Sequence, residues 1–99
     1  MKTELNAKLA GLLRARKTAA LGTLRAGAPF VSMVPYALAA DASGLLVHVS
    51  ELAAHTRDML ADARVSLMVS EDEGGDKSPL ALVRVTIQGE AERIARNAQ

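Results

Sequence analysis

The hydrophobic period changes once, near Thr18, and that change constrains the fold more than any other feature of the chain. Before it, Leu5, Leu9, Leu12 and Leu13 recur at i, i+4, i+7 and i+8, one stripe of an α-helix. Thr3 stands where an N-cap belongs, and Arg14 and Arg16 lie toward the negative end of the helix dipole. The spacing predicts a helix over Glu4 to Ala15. Beyond Thr18 the apolar residues fall in short β-type runs: Thr18 to Arg25, Phe30 to Leu38, Leu45 to Ser50, Arg64 to Ser70 and Leu82 to Ile94. Val65, Leu67 and Val69 alternate with Ser66, Met68 and Ser70, and Val83, Val85 and Ile87 alternate with Arg84, Thr86 and Gln88, so each of these strands has one polar face. Short strands in succession predict a mainly β fold, a barrel or curled sheet plugged by short helices, rather than a doubly wound α/β sheet.

The joints support that reading. Ala26-Gly27-Ala28-Pro29 and Asp41-Ala42-Ser43-Gly44 carry turn chemistry, which makes the first three strands a meander. Ser50 and Glu51 read as a helix start, and Leu52, Thr56, Met59 and Leu60 then share a face as far as about Asp62. Glu71 to Ser78, with Gly74-Gly75 at its centre, reads as a hairpin loop. Pro35 lacks the N–H a central strand uses, so we expect an edge or a bulge there, with a backbone position left to face a ligand. We expect a single domain over residues 1–99, with a helix in 1–16 and the barrel core in 17–99. A sixth strand would normally close such a barrel, so a second subunit or a further segment is expected to complete it.

Lys plus Arg (12) against Asp plus Glu (11) leave a net charge of +1, no footprint for a phosphate backbone or an anionic membrane. The aromatic residues are Phe30 and Tyr36 alone, so base stacking has little to work with. Neither a nucleic acid nor a membrane is expected as partner. The first 13 residues contain Lys2, Glu4 and Lys8, which interrupt any signal-peptide core. Cysteine is absent, which removes disulfides, thiolate nucleophiles and cysteine-ligated metals and fits a reducing cytoplasm. His48 and His55 are the only histidines and lie on different elements, so no metal site is expected. A chain of this size buries only about 65% of its unfolded surface, which favours pairing with a second copy.

Candidate chemistry concentrates where the third strand runs into the second helix, from Leu46 to Asp58, with Ser50, His55, Thr56 and Arg57 at the junction. A helix N-terminus offers unpaired N–H groups and partial positive charge, and neighbouring hydroxyl and cationic groups complete a phosphate site. The plainer alternative is that Ser50 caps the helix, Thr56 packs, and His55 and Arg57 are solvated.

From Thr18 to Ile94 the chain resembles the pyridoxamine 5′-phosphate oxidase-like family of FMN-binding split β-barrels, nearest its heme-utilisation branch. The landmarks are Ala20 to Leu24, Pro29 to Tyr36, Gly44 to Ser50, Leu52 to Arg57, Ala63 to Leu67 and Arg84 to Glu92, in that order. The resemblance implies a homodimer with FMN at the subunit interface and oxidoreductase chemistry on an unidentified small-molecule substrate. It implies that Ser32, Met33, Val34, Pro35 and Tyr36 border the isoalloxazine, partly through backbone groups. His48, Val49, Ser50, His55, Thr56 and Arg57 would hold the phosphate, and Arg84 would approach from the fifth strand. The oxidases proper carry basic residues at Ser32, near Ala37 and as an Arg-Lys pair at Ala54-His55, so their own substrate is not expected here. Two further readings stand beside this one: a non-catalytic binding or assembly domain with weakened flavin affinity, and a truncated heme-utilisation protein with heme as ligand.

Overall fold

The computed structural model describes residues 2–39, 44–76 and 78–94, with side chains from residue 9 onward. In chain order the elements are α1 (Lys2–Ala15), β1 (Thr18–Arg25), β2 (Ala28–Leu38), β3 (Leu45–Val47), α2 (Ala54–Ala61), β4 (Arg64–Ser70), a 3₁₀ turn (Pro79–Ala81) and β5 (Arg84–Glu90). The strands form one antiparallel sheet in the order β3-β2-β1-β4-β5, so the expected meander is present and α2 carries the chain from the β3 edge back across to β4. The fold is mainly β with two helices.

Alternation sorts each strand into two faces. Leu21, Val34, Tyr36, Leu67 and Val69 point inward, and with Leu12 of α1 and Ala19 they make the core; Val34 is 2% exposed and Tyr36 8%. The sheet curls around this face. Its two edges contribute to one cavity of about 290 Å³, lined by Leu38 and Leu45 from one side, Ile87 and Gly89 from the other, and Leu13, Val65 and Leu67 between. α1 closes one end of the trough, where the Tyr36 hydroxyl donates to the Leu13 carbonyl at 2.8 Å. That bond satisfies one of the carbonyls a helix C-terminus leaves open.

Several boundaries differ from expectation. Thr3 lies inside α1, which begins at Lys2, so it is not the cap. The register of β2 on β1 runs unbroken from Thr18–Pro35 to Arg25–Ala28, so there is no bulge at Pro35. Tyr36 N–H bonds the Lys17 carbonyl, so by antiparallel alternation the missing N–H of Pro35 is directed toward β3. There the Pro35 carbonyl accepts from His48 N–H at 3.2 Å and nothing can be donated back, which ends β3 at Val47 instead of Ser50. The fifth strand is also shorter than Leu82 to Ile94. Ser78 caps the 3₁₀ turn, and Glu71 takes Val83 N–H with its carboxylate (2.7 Å) and Val83 C=O with its own N–H (2.9 Å). Residues 82 and 83 therefore close a loop, and the ladder starts at Arg84. Asp41, Ala42 and Ser43 of the second expected turn lie outside the described residues.

Candidate functional site

The junction between β3 and α2 is built from two successive turns. Ser50 does not cap α2: its Oγ accepts Leu52 N–H at 3.2 Å, and its carbonyl accepts Ala53 N–H at 3.2 Å and the Thr56 hydroxyl. Ser50 thus caps a turn of its own, a local competitor that short hydroxyl side chains readily form. The helix begins later, with Ala53 at the N-cap and no side-chain capping bond. Thr56 and Arg57 N–H groups both reach the Ala53 carbonyl, whereas those of Ala54 and His55 find no acceptor among the described residues. No acidic residue stands in the first turn to answer the dipole. The end of α2 is therefore open to an anion.

Two polar fastenings set α2 on the inner face. His55 Nδ1 lies 3.1 Å from Ser32 Oγ on β2. When Ser32 donates in that contact, the ring proton resides on Nε2, which leaves an N–H donor free. One turn on, Asp58 is only 7% exposed. Its carboxylate accepts from Thr23 Oγ1 at 3.0 Å and from Arg25 Nε and Nη2 at 3.2 Å each. The Arg25 side-chain bond, then that of Thr23, holds the Asp58 carboxyl below the usual carboxylate range against the opposing effect of burial. The Arg25 guanidinium lies over the Phe30 ring, 3.7 Å from its centroid.

The expected site residues divide accordingly. Ser50, His55 and Thr56 are gathered at the α2 end, with Ser32 joined to His55. Arg57 is exposed on α2, and His48 is exposed where it bonds Pro35. Val34 and Tyr36 have their side chains in the core, and Val49 packs against it; Met33 and Pro35 are exposed on the opposite face of the sheet. Arg84 stands apart on the far edge strand, donating to the Pro79 carbonyl at 3.3 Å. Sequence reasoning passed over Thr23, Arg25 and Asp58, because nothing in a period-2 pattern tells a threonine facing a helix from one facing solvent. Among the described residues no three His, Asp or Glu side chains converge as a metal site would need, and no helix is long and apolar enough to cross a membrane.

Residues 5–99 match the family described as pyridoxamine 5′-phosphate oxidase. The chain belongs to this family. It is 34% identical over its full length to the non-canonical heme oxygenase HOZ, chloroplastic, of Arabidopsis thaliana, of which it covers 28%. It is also 34% identical over 85 residues to the heme oxygenase HutZ of Vibrio cholerae, covering 85% of this chain and 47% of that protein. The chain thus spans less than half the length of these curated relatives. A crystal structure of HutZ from Vibrio cholerae, described as a heme storage protein, superposes with a TM-score of 0.81 at 31% identity, over 96% of this chain and 66% of that one. The curled sheet with its two helices is the split β-barrel of this family, and the heme-utilisation branch is where its relatives lie.

Proposed function

We propose that this chain is the barrel of a heme-utilisation protein and that the open end of α2 holds an anionic arm of its planar ligand. The observation that carries the reading is the pair of unpartnered N–H groups on Ala54 and His55, set beside the His55 imidazole and the Ser50 hydroxyl, which accepts from Leu52 N–H and keeps its own proton to donate. These donors fit a carboxylate or a phosphate equally in chemistry. A heme offers carboxylate arms, and the names of the relatives favour it. FMN, with its phosphate, is the second reading, favoured by the family and by the Ser50 hydroxyl beside a helix N-terminus. When bound, heme iron would supply oxygen chemistry and a flavin would supply electron or hydride transfer. The residues of the chain bind and orient: the α2 end fixes the anion, and Ser32 holds the His55 ring. The reading also takes a second copy of the chain against the outer face of the sheet, and a reducing compartment such as the cytoplasm.

The test is titration of the purified protein with four ligands: hemin, hemin dimethyl ester, FMN and riboflavin. Each pair differs in its anionic arm. We expect saturable binding of hemin with a shifted Soret band, and about tenfold weaker binding of the ester, the size of one charge-assisted contact. Replacing His55 and Arg57 by Ala should erase most of that difference. If hemin fails and FMN binds more tightly than riboflavin, the flavin reading replaces the heme reading. Equal binding within both pairs would remove the anion-holding role of α2.

A further inference from the structure

We infer that Asp58, held by Thr23 and clamped by Arg25, is the positioning residue that aims the end of α2 and the His55 imidazole at the ligand's anionic arm; this rests on the reading above. Asp58 and Thr23 are the buried polar side chains among the described residues, and they bond to each other. Asp58 lies three residues after His55, so both side chains leave the same face of α2. That face meets β1 through Thr23 and Arg25 and β2 through Ser32. Register places the attachment points side by side: Thr23 pairs with Phe30 and Leu21 with Ser32. Two polar fastenings one helical turn apart fix both the height and the rotation of a short helix, which apolar contacts alone leave free to roll.

The chemistry of the clamp fits positioning. A buried carboxylate accepting a hydroxyl and a two-pronged guanidinium has little rotational freedom. The guanidinium carbon also lies 3.7 Å from the Phe30 ring centroid, a second contact that restrains the fork. Neither Asp58 nor Arg25 belongs to the group of donors at the α2 end. Their effect on a ligand passes through the placement of Ala54 and His55.

The test compares wild-type protein with Asp58→Asn and Arg25→Lys, each first shown folded by size exclusion and circular dichroism. Asn keeps the volume and the Thr23 bond but loses the charge, and Lys keeps the charge but loses the fork. We expect Asp58→Asn to move the His55 ring ¹⁵N resonances and the Ala54–Thr56 amides while the Val34, Leu67 and Val69 signals stay in place. We expect it to weaken the anionic ligand about tenfold and its neutral analogue less than about twofold, with Arg25→Lys intermediate. Unchanged His55 resonances, or equal loss of anionic and neutral ligands, would overturn the inference. Should Asp58→Asn fail to fold, Arg25→Lys and Thr23→Val read the same resonances, and no movement in either has the same force. A wild-type protein that does not discriminate anionic from neutral ligands defeats the proposed function alone, and the His55 resonances still decide the role of Asp58.

Discussion

At the β1–β2 turn a single alanine adopts a conformation that alanine disfavours. Ala26 has φ of 52° and Gly27 φ of 82°, the pair of positive values a two-residue hairpin needs to match the twist of its strands. Gly27 accepts this freely, whereas the Cβ of Ala26 crowds its own carbonyl in the left-handed region. Asn is the residue that this position takes most readily after Gly. Ala26→Asn is expected to raise stability by about 0.5–1 kcal/mol in urea unfolding, with no change in ligand binding. A loss of stability would mean that the Ala26 methyl makes a contact worth more than the strain. The turn itself was legible, because Ala26-Gly27 sits between two β-type runs; its mirror-image conformation follows only once strand pairing fixes the loop at two residues.

Among the elements, legibility followed how far local pattern decides the outcome. Period alone located α1, β1, β2 and β4, since an amphipathic stripe or alternation over seven or more residues has one low-energy solution. β3, β5 and the start of α2 were overdrawn because their ends are set by partners distant in sequence: Pro35 stops β3, Glu71 ties up Val83, and Ser50 spends its hydroxyl on its own turn. The gathering of Ser50, His55 and Thr56 was readable, but the Asp58 clamp was not, since its partners lie 33 and 35 residues away. That clamp gives α2 a pH dependence. Asp58 is held below the usual carboxylate range, and Asp62 is pushed to about 2 by its bonds with Arg64. With folded pKa values depressed, the unfolded chain takes up protons first, so the stability these groups contribute is whole above about pH 5 and drains as the pH falls below about 4. Asp62 is half-buried but its partner Arg64 is exposed, so solvent screens that pair and leaves Asp58 as the larger contributor. We expect the melting temperature to hold between pH 7 and 5 and then drop. Asp58→Asn should start about 10 °C lower at pH 7 and lose less on acidification, and Asp62→Asn should follow the wild type. A variant curve parallel to the wild type below pH 4 would assign the acid sensitivity to another carboxyl.

For the molecule as a whole, the decisive feature is the face the two helices leave uncovered. Both helices lie on the inner side of the sheet, so the outer side carries Val31 and Met33 of β2, each 66% exposed, and Met68 of β4, 41% exposed. Register sets them in rows: Met33 faces Ala20, which faces Met68, and Val31 faces Gly22, which faces Ser66. Small residues on β1 between projecting methionines and valine make an apolar row free of charge at its centre. A two-fold axis would set this uncharged apolar row against the same row of a second copy, with no like charges opposed at the centre. A sheet with a core this small also gains most from covering it. The second copy of the chain proposed above is assigned to this face, and the prediction is a dimer of the 10.4 kDa chain by light scattering at micromolar concentration. A two-fold axis doubles every substitution, so Met33→Lys buries two unpaired ammonium groups per dimer and should weaken association by at least about 100-fold. Phe30→Lys, on the inner face, should leave the mass unchanged while disturbing Arg25. A wild-type monomer, or a Met33→Lys protein that stays dimeric, would move the second copy to another surface or remove it.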